Sequence, residues 1–281
     1  MRYPVRSLLA TLCLAALPLA VPVASAGVVV GISVNIAPPV LPVYEQPPCP
    51  TVGYIWTPGY WGWSNGEYYW VPGTWVAPPA VGLLWTPGYW GWSNGAYLWH
   101  AGYWGPHVGF YGGVNYGFGY TGVGFAGGEW RGGAFFYNRS VANIGALHVG
   151  FYSRDVPVVA ARVSFNGGVG GIVARPSAVE VLAERDRHVA FTDLQARHEQ
   201  ASFHNEALRA AVNHGRPAIA ATVRPGEFGG HAVMAAHEEM HGGPGPGAEH
   251  RGGPAPRAEE RRGGGGGHPA AHEERREDKR H

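Results

Sequence analysis

The chain has 281 residues and a net charge of +1, and its 45 glycines and 24 prolines make up about a quarter of it, at the edge of the roughly 25–30% typical of low-complexity chains. Aromatic residues nonetheless reach 12%, with 11 Trp, which excludes a uniformly disordered polymer because such chains are aromatic-poor. Between Gly27 and Trp130 the Asp, Glu, Lys and Arg content is three carboxylates, Glu45, Glu67 and Glu129; nucleic acid binding needs cations to neutralise phosphates, so this region is excluded from it.

Residues 1–26 read as a secretory signal peptide. Arg2 and Arg6 form a positive start, Leu8 to Leu17 an apolar run, and Ala24-Ser25-Ala26 a small-residue cleavage site. The expected mature chain begins at Gly27. Pro18 and Pro22 leave too short a run for the ~20 apolar residues of a membrane span, so no transmembrane helix is expected after cleavage. The implied location is the periplasm, the outer membrane or the cell surface. Cys13 falls within this segment, which leaves Cys49 as the mature chain's one thiol. Set among Pro47, Pro48 and Pro50, it is expected to be inert.

Residues 27–53 predict one short strand followed by an extended, proline-rich strap. Residues 54–105 hold an internal repeat: WTPGYWGWSNGEYYWVPGTW (56–75) recurs at 85–104 as WTPGYWGWSNGAYLWHAGYW, an offset of 29. Each copy contains the unit W-x-x-G-x-W twice, starting at Trp56, Trp70, Trp85 and Trp99. Asn65-Gly66 and Asn94-Gly95 are strong signals for two-residue type I′ turns. With those turns, Trp61 faces Trp70, Trp56 faces Trp75, Trp90 faces Trp99, and Trp85 faces Trp104. Nearer the turns, Trp63 meets Tyr68 and Trp92 meets Tyr97. A turn over 77–83 then predicts a four-stranded meander, with Trp75 against Trp85 and Trp70 against Trp90. Its two Trp rows form either a structural ladder or an aromatic surface. Pro58-Gly59, Pro72-Gly73 and Pro87-Gly88 should mark bulges or kinks, because proline cannot donate to a ladder.

Residues 106–175 are a Gly/aromatic-rich β region. The alternation around Tyr116-Gly117-Phe118-Gly119-Tyr120 predicts strands with one bare face. Another strand is expected from Val158 to Phe165, ended by Asn166-Gly167-Gly168. Residues 176–223 predict two helices with capping boxes, Ser177 with Glu180 and Thr192 with Gln195. The first runs from about Ala178 to His188. The second runs from about Asp193 to Val212, with Leu194, Ala201 and Leu208 as its apolar seam. Residues 224–281 are expected to be disordered, since their Gly, Pro, His, Arg and Glu cannot repay ordering entropy. The fold class is thus mainly β: an antiparallel hairpin meander from Trp-rich repeats, Gly-aromatic strands, two short helices and a disordered C-terminal tail.

The segments GYIWTPGYWGW, YYWVPGTW, LLWTPGYWGW and LWHAGYW resemble the YXWGXW (WXXGXW) repeat family of exported proteobacterial proteins, over roughly residues 30–225. The resemblance implies an envelope location and carries no catalytic residues. The fourth unit departs from the pattern, with His100-Ala101 where the second unit has Val71-Pro72.

Chemistry-bearing motifs are sparse. His237-Glu238-Glu239-Met240-His241 matches H-E-x-x-H, in which two His one helical turn apart bind zinc, but Gly242-Gly243-Pro244 ends any helix there. Seven of the 14 His lie from His231 onward, a composition that reads mainly as a solvated polyampholyte and secondarily as a weak metal collector. Gly167-Gly168-Val169-Gly170-Gly171 is not followed by the Lys-Ser/Thr of a nucleotide loop. No cofactor or metal ligand set is expected. The leading reading is a non-enzymatic envelope protein whose repeat sheet is a structural or interaction module. The alternatives are a glycan- or peptidoglycan-binding module using exposed Trp rows and, at low weight, metal binding through the tail.

Overall fold

An Asn-Gly pair has two residues that tolerate positive φ, and the chain reverses at both. In a computed structural model, which describes residues 32–157 and 162–237, Asn65 and Gly66 have φ of 52° and 84°, and Asn94 and Gly95 have 50° and 87°. Consecutive positive φ values make type I′ turns, whose twist matches that of paired strands. Strand β1 (Ser33–Val34) precedes the repeats. Repeat 1 comprises β2 (Ile55–Thr57), β3 (Tyr60–Ser64), β4 (Glu67–Val71) and β5 (Gly73–Val76). Repeat 2 comprises β6 (Leu84–Thr86), β7 (Tyr89–Ser93), β8 (Ala96–His100) and β9 (Tyr103–Gly105). The pairs Trp61–Trp70, Trp63–Tyr68, Trp56–Trp75, Trp90–Trp99, Trp92–Tyr97 and Trp85–Trp104 all stand opposite each other.

The Gly-aromatic region does not run as long strands. β10 (Asn115–Gly117) and β11 (Tyr120–Thr121) form a tight hairpin, with Gly117, Phe118 and Gly119 at φ of 74°, 53° and 97°. The alternating glycines serve as turn residues, and the aromatics between them turn inward. β12 (Gly128–Arg131), β13 (Ala134–Asn138) and β14 (Phe151–Tyr152) form a separate three-stranded sheet. Of the strand expected over 158–165, residues 158–161 lie outside the described residues; β15 covers Phe165–Asn166.

Both capping boxes form, but both helices are shorter than expected. α1 spans Ala178–Ala183 and α2 spans Asp193–His204. At Asn205 the backbone leaves the helix, and its side chain accepts from Ala207 N to cap a 3₁₀ turn, Glu206–Leu208. α3 (Ala210–Asn213) follows. β16 (Ala221–Thr222) pairs with β17 (Val233–Met234), so order extends past residue 224, where the tail was expected to begin. Residues 238–281 lie outside the described residues, as do 1–31 with the expected signal peptide. Among the described residues no helix is long and apolar enough to cross a membrane.

The architecture is mainly β and hairpin-built, but the two repeats are not joined as the expected meander. Each hairpin splits at its Pro-Gly break into an inner ladder (β3–β4, β7–β8) and an outer one (β2–β5, β6–β9). The edges that would have met are already occupied. β16 lies parallel to β5, Ala221 opposite Gly73, and β15 lies parallel to β7, Phe165 opposite Trp90. The sheets therefore order as β17-β16-β5-β2 and β1-β8-β7-β15. The repeats meet elsewhere: the buried Tyr120 hydroxyl sits 3.2 Å from Trp56 O and 3.1 Å from Trp85 O.

α2 docks through a polar face. Of the expected apolar seam, Leu208 is fully buried, but in the 3₁₀ turn beyond α2; Ala201 is half-buried and Leu194 faces solvent. Leu194 is 49% exposed, whereas Gln195, His198 and Ser202 are buried. The surface beneath explains it, because it presents an indole N–H and a carbonyl. Gln195 Oε1 accepts from Trp104 Nε1 (2.8 Å). His198 Nε2 donates to Pro72 O (2.8 Å), and its Nδ1 accepts from Gly226 N (2.9 Å). Both ring nitrogens are thus committed with the imidazole neutral, and burial lowers its pKa from 6.5 to about 4.

Between those pH values the unfolded chain binds a proton that the folded chain does not. The stability carried by neutral His198 is complete above pH 6.5 and is lost as pH falls toward 4, by on the order of 3 kcal/mol. Urea unfolding should therefore show a fall in stability between pH 7 and pH 4.5, and His198→Gln should make that fall smaller. An equal fall in the variant would show that His198 does not carry it.

Candidate functional site

The two Trp rows are the residues that the sequence marks out, and their geometry explains the unit W-x-x-G-x-W. A Cβ placed on Gly73 would lie 2.6 Å from Trp56 Cζ2; the Trp70 ring covers Gly59 in the same way. In repeat 2 a Cβ on Gly88 would lie 2.5 Å from Trp99 Cζ2, and one on Gly102 would lie 2.5 Å from Trp85 Cζ2. The first Trp of each unit therefore lies on the glycine of the unit across the hairpin. It also meets that unit's second Trp, with ring centroids 5.1 to 5.3 Å apart and planes inclined 51° to 68°. Tilted aromatic pairs at this separation contribute about 0.5–1.5 kcal/mol each beyond buried area. All three fixed positions of the unit are contacts of one reciprocal clasp.

The rows are interior. Trp56, Trp61, Trp70, Trp75, Trp85, Trp90 and Trp104 are at most 3% exposed, and Trp99 is half-buried. Buried indoles need acceptors for their N–H groups, and the strap supplies two. Trp61 Nε1 donates to Val40 O (3.1 Å) and Trp75 Nε1 to Pro47 O (2.8 Å). Trp70 Nε1 donates to Ala220 O (2.9 Å), and Trp90 Nε1 reaches across to Trp61 O of repeat 1 (2.8 Å). Trp56 is the exception: its buried N–H meets no acceptor among the described residues. Cys49 is buried, with its Sγ 3.2 Å from Thr51 O, and burial raises its pKa, which fits an inert thiol. Of the H-E-x-x-H residues only His237 is described, in an extended bridge with Val43. Among the described residues no group of three or more His, Cys, Asp or Glu is placed to hold a metal.

The duplication also places the same face side by side in two states. In repeat 1, Thr57, Pro58, Tyr60, Val71, Pro72 and Thr74 lie beneath Phe191, Gln195 and His198, leaving a cavity of about 20 Å³. Twenty-nine residues on, their counterparts are Thr86, Pro87, Tyr89, His100, Ala101 and Tyr103. These line an open cleft of about 380 Å³, together with Trp99, Phe110 and Glu184. The cleft is aromatic and carries one carboxylate on its wall. Tyr89 and His100 stack at 4.4 Å with planes 3° apart, and Tyr103 stacks on His188 at 3.6 Å. Desolvation and then Glu184 raise the Tyr89 pKa to about 12. Desolvation lowers that of His100, against Glu184, so His100 is neutral near pH 7.

The W-x-x-G-x-W unit that builds the clasp is also what the matched family is named for. Residues 52–76 and 81–104 are two copies of the WXXGXW repeat. No curated protein and no solved structure matches the chain. The WXXGXW unit accounts for the clasp and not for the cleft, whose distinguishing residues are the positions where repeat 2 departs from repeat 1. His100-Ala101 in place of Val71-Pro72 is visible in the sequence, and so is Tyr103 in place of Thr74. Glu184 and the covering His198 are not legible there, because only the fold brings α1 and α2 to the repeats.

The clasp sets a ranking among glycines. Gly73→Ala drives a methyl into the Trp56 ring and should cost about 1–3 kcal/mol, the usual range for overpacking. Gly66 has φ of 84° and open space around it, so Gly66→Ala should cost only its backbone strain, about 1 kcal/mol. Thermal unfolding of the two variants checks the order, and a Gly66 variant less stable than the Gly73 variant would contradict the clasp.

Proposed function

We propose that this is a non-catalytic protein exported to the cell envelope, in which the WXXGXW repeats build a scaffold and the Trp rows are not a ligand platform. The observation that carries this is burial: seven of the eight ladder tryptophans are at most 3% exposed, so a ligand has no access to those seven. Export is supported by the signal-peptide pattern of residues 1–26. The non-catalytic reading is supported by His237, which begins the one catalytic motif of the sequence and pairs with Val43 in extended conformation. A zinc site of that type needs its two His on one helical turn.

The scaffold reading predicts that Trp61→Ala and Trp90→Ala each destabilise the protein by about 3–5 kcal/mol, measured by urea unfolding. A binding platform predicts the opposite pattern, folded variants that lose retention on purified peptidoglycan. Export predicts that cell fractionation finds the protein outside the cytoplasm, with Gly27 as its first residue by N-terminal sequencing. A cytoplasmic protein that retains residues 1–26 would overturn it.

A further inference from the structure

Repeat 1 shows what completes the face that repeat 2 leaves open. His198 Nε2–H is given to the Pro72 carbonyl, and the Ala220 carbonyl accepts from Trp70 Nε1. The cover thus supplies a donor and an acceptor together, over a floor of rings. The counterparts in repeat 2 are Ala101 and Trp99, and both line the open cleft.

An occupant of this cleft must therefore offer donors, acceptors and a flat apolar surface at once. Glu184, the one carboxylate among the described residues on the wall, accepts two donors side by side and repels anions. A small organic cation satisfies Glu184 and stacks on rings, but it has nothing to accept from Trp99. A purely apolar ligand leaves every polar group of the cleft unpaired. A pyranose ring meets all the requirements: vicinal hydroxyls that both donate and accept, and a C–H face for the aromatic side chains. The cleft volume of about 380 Å³ lies within the roughly 300–1,000 Å³ of small-molecule sites.

We propose that the open cleft of repeat 2 is a saccharide subsite, in which Glu184 accepts hydroxyl protons and Tyr89, Trp99, Tyr103 and Phe110 form the aromatic wall. Residues 100, 101 and 103 are the specificity-determining departures from repeat 1. Of the ladder tryptophans only the half-buried Trp99 reaches this site; the other seven are buried away from it, so its failure would leave the scaffold reading standing.

Saturation-transfer NMR on the purified protein tests it, with chitotriose, maltotriose and agmatine as probes. At least one of the two saccharides is expected to bind, and agmatine not to displace it. Glu184→Gln should weaken saccharide binding about tenfold or more, the loss of a charge-assisted hydrogen bond. His100→Val, which restores the repeat 1 residue, should also weaken it. Trp92→Leu, near the exposed tip of the same hairpin, should leave it unchanged. All three variants are checked for unaltered thermal unfolding. Three results would overturn the proposal: no binding of either saccharide, binding of agmatine alone, or saccharide binding untouched by both Glu184→Gln and His100→Val.

Discussion

An indole lying on a glycine across a hairpin is the contact on which the rest of this fold depends. It needs a residue without a Cβ, and it needs the glycine's strand to be stripped of regular ladder bonds so that the ring can approach the backbone. Proline beside the glycine supplies the second condition by removing an N–H. Repeat 1 meets it with Pro58-Gly59 and Pro72-Gly73. Repeat 2 meets it with Pro87-Gly88, and at Ala101-Gly102 the clasp persists without proline. Glycine is therefore the stricter requirement and proline the auxiliary one.

Burying tryptophan in place of aliphatic residues has a consequence for everything packed around it. Each ring brings an N–H into the interior, and an unpaired N–H there costs about 1–3 kcal/mol. The surrounding chain is accordingly rich in carbonyls not already used in ladders. An extended proline-rich strap is well suited to this, since its backbone makes few bonds of its own, and it accepts from Trp61, Trp75 and, through Ile36 O, from the Tyr68 hydroxyl. For Trp61 the Val40 carbonyl plays the part that the Trp61 carbonyl plays for Trp90. The strap thus stands in for a preceding repeat. The same requirement explains why α2 turns Gln195 inward, where its Oε1 accepts from Trp104 Nε1.

What the sequence made legible divides along the range of the interactions. The Asn-Gly turns and the Trp-Trp pairings depend on residues within about twenty positions of each other, and their register was readable from spacing. The order of the sheets was not, because it is decided by β15 and β16, two-residue strands too short to carry a pattern. They reach β7 and β5 from far along the chain and take the edges that a meander would have used. The apolar seam expected for α2 holds at Leu208 and fails at Leu194 for a different reason: the helix breaks at Asn205, and the surface under its first turns presents an indole N–H and a carbonyl that periodicity does not register. The boundary at residue 224 missed Val233–Met234, whose pairing with Ala221–Thr222 rests on backbone bonds that composition does not register.

The two repeats also show why duplication leads to asymmetry here. A strand added to β5 and a helix laid over Pro72 complete repeat 1, and both come from the chain after the repeats. On the corresponding side, among the described residues, β9 receives the Trp104–Val189 bridge and no added strand. Among the described residues the aromatic face of repeat 2 thus stays open while its clasp remains intact. Substitutions at 100, 101 and 103 fall on that open face and leave Trp85, Trp90, Gly88, Trp99, Gly102 and Trp104 in place. Positions outside the clasp are free to change chemistry without loss of the fold. A duplicated unit whose stability rests on a few reciprocal contacts can in this way devote one copy to architecture and expose the other as a surface.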